Sequence, residues 1–226
     1  ENLAEGYKAL ALLFAYTGDS NNSLKYNLKT IQLKPGFSDA IGNVGLRYRN
    51  KGDLSEALEW YLKAHKMDPF NRRNHWHVGF THELLGEYKI AEDLYLEGLL
   101  KHNDSFECLS ALVFYHLNFS RPNKAKYYLD ELLRLRPNDN RSVRVALSYF
   151  LNIKDFDNAM VFGLKIKQQN ISDKISLAFL EKRLKNIEIA NKYLTDAINQ
   201  LDGWIKSNDQ SANAYYQLAK INSVLT

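Results

Sequence analysis

"KGDLSEALEWYLKAHKMDP", residues 51–69, sets small and large residues at fixed intervals. Leu54, Ala57, Leu58, Tyr61 and Ala64 recur in steps of three and four, so they form one stripe on a helix, and Pro69 closes the unit. Asp53 stands at the N-cap place with Glu56 three residues on, the spacing of a capping box. Upstream, "DAIGNVGLRYRNK" carries Ile41, Val44, Gly45 and Tyr48 on one face and ends at Gly52, a residue free to take the left-handed conformation after a helix. Two helices are therefore expected, brought close by Gly45 and Ala57, with Tyr48 and Tyr61 filling the space beside them.

Sliding the chain by 34 residues returns the same pattern. Gly18, Gly52 and Gly86 are continued by Ser120 and Lys154; Ser23, Ala57, Ala91, Ala125 and Ala159 form a second column, and Ala190 follows after 31. Pro35, Pro69 and Pro137 keep the phase, as do Tyr7, Ile41, His75, Leu109 and Val143. A period of this length is the mark of a solenoid in which each copy buries its face on the next.

Gly45, Tyr48, Gly52, Ala57, Tyr61, Ala64 and Pro69 resemble the tetratricopeptide repeat motif nearly position for position. Copies start near Ala4, Ser38, Arg72, Phe106, Asn140 and Ile171, with a lone helix from about Ala212, so the resemblance covers almost all of residues 1–226. It implies an all-α fold: a right-handed α-α superhelix of about six repeats plus a C-terminal helix, read as a single domain. The fifth and sixth copies depart from the motif, since Gly163 sits where a large residue is usual and Ile171 replaces the proline. A start at Glu1 and an end in helical sequence read as a segment of a longer protein.

The chain is 45% hydrophobic and 25% charged, a composition that suits a packed protein. No apolar run approaches the ~20 residues that a bilayer-spanning helix needs, so no membrane partner is expected and the localisation reads as cytoplasmic. Cys108 is the sole cysteine, which excludes an internal disulfide and a cysteine-rich zinc site. His75, His77 and His82 lie too far apart around or along one helix, about 200° or ~10 Å, to share a metal ion. No phosphate loop, dinucleotide loop or nucleophile motif occurs. The expectation is a protein without enzymatic activity and without a cofactor. Net charge is +4, divided as −2 over residues 1–113 and +6 over 114–226, a poor phosphate track for nucleic acid despite "RRNHWHVGF" and "RSVRVALSYF".

In the family the first helix of each pair lines a concave groove, and the second, fifth, ninth, twelfth and thirteenth places face the ligand. Carried onto this chain, the ninth places are Leu12, Leu46, Phe80, Phe114, Ser148 and Phe179. Tyr16, Trp76, Leu84 and Leu117 fall nearby, extending an apolar strip, while Arg49, Arg73, Arg141, Arg144, Lys182 and Arg183 supply positive charge. The implied partner is an extended or helical protein segment with apolar anchors and acidic residues toward the later repeats. Some members of the family hold a peptide's terminal carboxylate with a clamp of Lys, Asn, Asn, Lys and Arg. Lys8, Asn43 and Arg73 occupy clamp-like places and His77 stands where an Arg would, but Leu12 takes an Asn place. Two other roles fit the same array: a spacer or homo-oligomer surface, and a sensor or docking region of a bacterial transcriptional or nucleotide-cyclase regulator.

Overall fold

The computed structural model describes residues 2–207 and 212–225, which divide into two compact units, 1–115 and 116–226. The described residues are helical with short turns and contain no strand. Helices α1 (Asn2–Tyr16), α2 (Ser20–Leu33), α3 (Ser38–Lys51), α4 (Leu54–Met67), α5 (Arg72–Leu84) and α6 (Tyr88–Lys101) belong to the first unit, where each packs on the next. Helix α7 (Phe106–Asn118) runs through the division. The second unit continues with α8 (Pro122–Leu135), α9 (Asn140–Asn152), α10 (Phe156–Leu164), α11 (Ile171–Arg183), α12 (Ile187–Ser207) and α13 (Ala212–Leu225), and there too consecutive helices pack in order. The expected starts at 38, 72, 106, 140, 171 and 212 coincide with the first residues of α3, α5, α7, α9, α11 and α13.

The small-residue column marks the seam of paired helices within each unit, and Ser23, Ala57, Ala91, Ala125, Ala159 and Ala190 are each at most 2% exposed. A side chain larger than Ala at this seam would force the two helices apart. Sixteen residues apart, a second pair of positions shares one volume between two helices. A Cβ at Gly45 would meet the Tyr61 ring at 2.9 Å, and one at Gly79 would meet the Tyr95 ring at 2.7 Å. In the fifth copy the space falls on the second helix, at Gly163, and is taken chiefly by Leu177, which a Cβ there would meet at 2.8 Å, with Leu147 in ordinary contact at 3.6 Å. The departure at Gly163 is thus compensated by the following repeat, where Leu177 on α11 fills the space.

Gly18, Gly52 and Gly86 end α1, α3 and α5 with φ of 83°, 89° and 82°, as the left-handed turn requires. The same turn in later copies is made by Ser120, Lys154 and Lys185 at φ of 54°, 62° and 63°. The expected capping box at Asp53 and Glu56 is corrected here, because Asp53 occupies the N-cap place of α4 without a side-chain hydrogen bond. Reciprocal capping occurs instead at α11, where Asn170 Oδ1 accepts from the Asp173 N–H and the Asp173 carboxylate accepts from the Asn170 N–H.

Candidate functional site

In the first unit the ligand-facing places fall on α1, α3, α5 and α7, and their side chains divide by exposure. Leu12 is 49% exposed, Tyr16 95%, Leu84 46% and Phe114 39%. Leu46, Trp76 and Phe80 are half-buried, and Leu46 also packs against the core of Ala57, Tyr61 and Val78. Trp76 and Phe80 stack nearly parallel with centroids 5.3 Å apart, and the Arg49 guanidinium lies 5.5 Å and 5.3 Å from the two rings. Offset ring stacking under a guanidinium holds these side chains in one arrangement. Leu117 requires a correction. It is 8% exposed, in a helix where Leu112, Val113, Tyr115 and His116 are also buried, so it is core and not strip.

Beside this strip lies a cavity of about 180 Å³ lined by Lys8, Leu12, Asp39, Asn43, Arg73 and His77 among others. The clamp-like places do converge, but the electrostatics differ from a carboxylate clamp. Lys8 Nζ is bound to Asp39 at 3.0 Å, so a carboxylate already occupies the lysine. His77 stacks on Tyr61 at 4.5 Å, and burial, helped by Arg49 and Arg73, lowers its pKa to about 3. It is therefore neutral and contributes no cation. Arg73 is the one basic side chain of the cavity without a carboxylate partner among the described residues.

Other titratable groups of this unit are held neutral by packing. His75, 1% exposed, sits edge-on to His65 at 4.5 Å, and burial lowers the pKa of both rings. Gly98 makes room for this arrangement, since a Cβ there would meet Cys108 Sγ at 2.7 Å and His75 Cβ at 3.1 Å. Burial likewise pushes the Cys108 thiol up to about 11 and the Tyr61 hydroxyl up to about 12. No group of three His, Cys, Asp or Glu side chains among the described residues is placed to hold a metal ion.

The second unit treats its basic places differently. Arg141 is paired with Asp139 at 3.0 Å, and Arg144 with Asp173 at 2.8 Å, where it also donates to the Gln168 carbonyl. Lys182 Nζ donates to the Val224 carbonyl at 2.7 Å near the end of α13. Arg183 is exposed, with its guanidinium over the ring of Phe156 at 4.2 Å and that of Phe179 at 5.7 Å. Phe179, half-buried, packs against the core of Ile175, Ala178, Leu194 and Ile221 and opens onto a cavity of about 500 Å³. Sequence reasoning missed Leu151, Ile175, Lys220 and Val224 in the lining of that cavity. Counting every ligand-facing place from Asn140, Ile171 and Ala212 would have reached them.

Among the described residues no helix is long and apolar enough to cross a membrane. No protein-family model matches the chain. Among curated proteins it is similar to General transcription factor 3C polypeptide 3 of Homo sapiens, 28% identical over 91 residues, and to Protein O-mannosyl-transferase TMTC1 of Homo sapiens, 22% identical over 210 residues. These alignments cover 40% and 93% of this chain but only 10% and 22% of the relatives' lengths. Among solved structures it is similar to PilF of Pseudomonas aeruginosa (TM-score 0.65, 19% identity, covering 88% of this chain and 92% of that one). PilW, a type IV pilus biogenesis factor, superposes over all of both chains, covering 100% of each, with a TM-score of 0.70 at 14% identity. A tetratricopeptide repeat protein of Parabacteroides merdae gives a TM-score of 0.59 at 16% identity, covering 100% of this chain and 88% of that one. At such identities the likeness is one of fold.

Proposed function

The chain folds as a tetratricopeptide-repeat array, and we propose that it is a non-catalytic scaffold whose first unit binds an extended or helical segment of another protein. The observation that carries this is the strip on α1, α3, α5 and α7, where Leu12, Tyr16, Leu84 and Phe114 remain exposed at the family's ligand-facing places. Exposed apolar side chains favour a contact that removes them from water. Trp76 and Phe80, stacked under Arg49, supply preformed aromatic surface, which lowers the entropic cost of binding. The non-catalytic reading is supported by the state of the reactive groups: Cys108, Tyr61 and the histidines His65, His75 and His77 are held neutral inside the helix packing. An acidic stretch in the partner would lie toward the basic second half, although Arg141 and Arg144 already carry carboxylates of their own.

Photo-crosslinking tests the assignment. A benzophenone side chain placed at 12 or 114 is expected to capture a partner protein that one placed at exposed Leu62 on α4 does not. Equal capture from all three positions, or none from 12 and 114, would overturn it. Light scattering provides the control for self-association, since a concentration-dependent dimer that protects positions 12 and 114 would favour the homo-oligomer role.

A further inference from the structure

The cavity in the second unit has chemistry of its own. Its walls come from the turn between α9 and α10, from α11 and from α13, and its volume of about 500 Å³ falls within the range of small-molecule sites, roughly 300–1,000 Å³. The apolar lining is Leu151, Phe156, Ile175, Phe179 and Val224. Ile175 and Val224 belong to the buried core and Phe179 packs against it, so this surface is held in place by the fold. Three cations, Lys154, Arg183 and Lys220, join three serines in the lining, and among the described residues no Asp or Glu contributes to it.

Those cations differ from the basic groups at the ligand-facing places of α9. Arg141 and Arg144 are neutralised by aspartates, whereas among the described residues Lys154, Arg183 and Lys220 have no carboxylate partner. Arg183 rests on Phe156 and Phe179, and Lys220 Nζ lies 4.6 Å from the Tyr216 ring centroid. The polar atoms of the lining do not offset this charge. Ser172 Oγ donates to Gln217, Ser176 Oγ to the Ser172 carbonyl and Ser223 Oγ to the Lys220 carbonyl, so each hydroxyl hydrogen is turned to the protein. An apolar surface edged by unpaired cations from three elements favours a ligand with the opposite arrangement of charge.

We propose that this cavity binds a small organic anion with an apolar body, in the class of a medium-chain or aromatic carboxylate, whose head meets Arg183, Lys154 and Lys220 while its body covers Phe179, Phe156 and Ile175. The site shares Phe179 and Arg183 with the ligand-facing places, but it does not rest on the partner-segment reading, which is carried by residues of the first unit.

The test is calorimetric titration of the intact chain with submicellar decanoate, alongside decanol and decyltrimethylammonium of the same chain length. Decanoate is expected to bind one to one and at least tenfold more tightly than decanol, with no binding of the cation. Arg183→Glu, an exposed position, should weaken decanoate at least tenfold at unchanged melting temperature. Ser223→Trp, also exposed, should fill the cavity without altering charge and abolish binding. Leu12→Ser with Phe114→Ser should leave decanoate binding intact, so failure here and failure of the scaffold reading are separable. Absence of decanoate binding, equal binding of decanol, or indifference to both cavity variants would overturn the proposal. So would Arg183-dependent binding of a Glu-rich, Leu-containing peptide with which decanoate does not compete.

Discussion

The two units fill the space between helices with different residues. In the first, the bulk between paired helices stands on the second helix, as Tyr61 and Tyr95, and the space on the first, as Gly45 and Gly79. In the second, the sixth copy keeps that order with Ala178 and Leu194, whereas in the fifth the space stands on the second helix, at Gly163, and Leu177 of the next repeat fills it. The turn after each first helix follows suit, being glycine three times in the first unit and Ser120, Lys154 or Lys185 afterwards. What the repeat preserves is a volume shared by two positions and a backbone conformation, and a motif read one residue at a time misses both.

Exchange of the paired volumes breaks this comparison most severely. Tyr95→Gly is expected to cost about 3–5 kcal/mol through the cavity it leaves. Gly79→Leu alone should also destabilise, by about 1–3 kcal/mol or more, because its side chain would meet the Tyr95 ring. Together they move the bulk to the first helix and the space to the second, and the double variant should recover part of the loss in urea denaturation. Strict additivity of the two losses would refute the shared volume.

Acid is the next lever, and in the first unit it acts through buried histidines. His65, His75 and His77 all lie in the first unit with pKa values lowered by burial, that of His77 to about 3 from 6.5. A histidine whose folded pKa is depressed takes up its proton first in the unfolded chain, so protonation draws the equilibrium toward unfolding. Stability is complete above about pH 6.5 and falls between there and about pH 3 for His77. The ceiling is roughly 1.4 kcal/mol per pH unit for each histidine. Hydrogen exchange at pH 7.5 and pH 5.0 should show the helices around His75 opening more readily at the lower pH; unchanged protection there would count against the neutral cluster.

Turns and caps give the smallest effects. Lys185→Gly should stabilise by about 1 kcal/mol, because glycine enters the left-handed region without the penalty paid by a side chain, and Gly52→Lys should lose a similar amount. Asp155 accepts from the Asn158 N–H, so Asp155→Ala should cost about 1 kcal/mol, whereas Asp53→Ala should cost less than about half of that. Thermal unfolding of the two alanine variants decides whether the caps differ.

Much of the fold was legible because columns such as Ser23 to Ala190 demand small residues wherever two helices touch, and that demand repeats whatever else varies. The cap at α4 was not legible: Asp53 has the right type and spacing, yet whether its carboxylate turns toward the helix is decided by side-chain geometry. Gly163 looked like a defect because Leu177, fourteen residues later in the next repeat, was not weighed with it. At the site, the ligand-facing places were legible for Leu12, Tyr16 and Phe114, which are exposed, but not for Leu117, whose burial depends on neighbours on every side of α7. Nor does sequence disclose that Arg144 is spent on Asp173, 29 residues away, while Arg183 is left to face a cavity.

The scaffold reading is tested most directly by Phe80→Ala with Phe114→Ala, measured for thermal unfolding and, in the same preparation, for affinity toward the partner captured at positions 12 and 114. Phe114 is 39% exposed and Phe80 half-buried, so the variant should stay folded with a modest fall in melting temperature while affinity drops at least tenfold. A folded variant with undiminished affinity, or a collapse of the fold that shows both rings to be core, would contradict the claim that this strip is the binding surface.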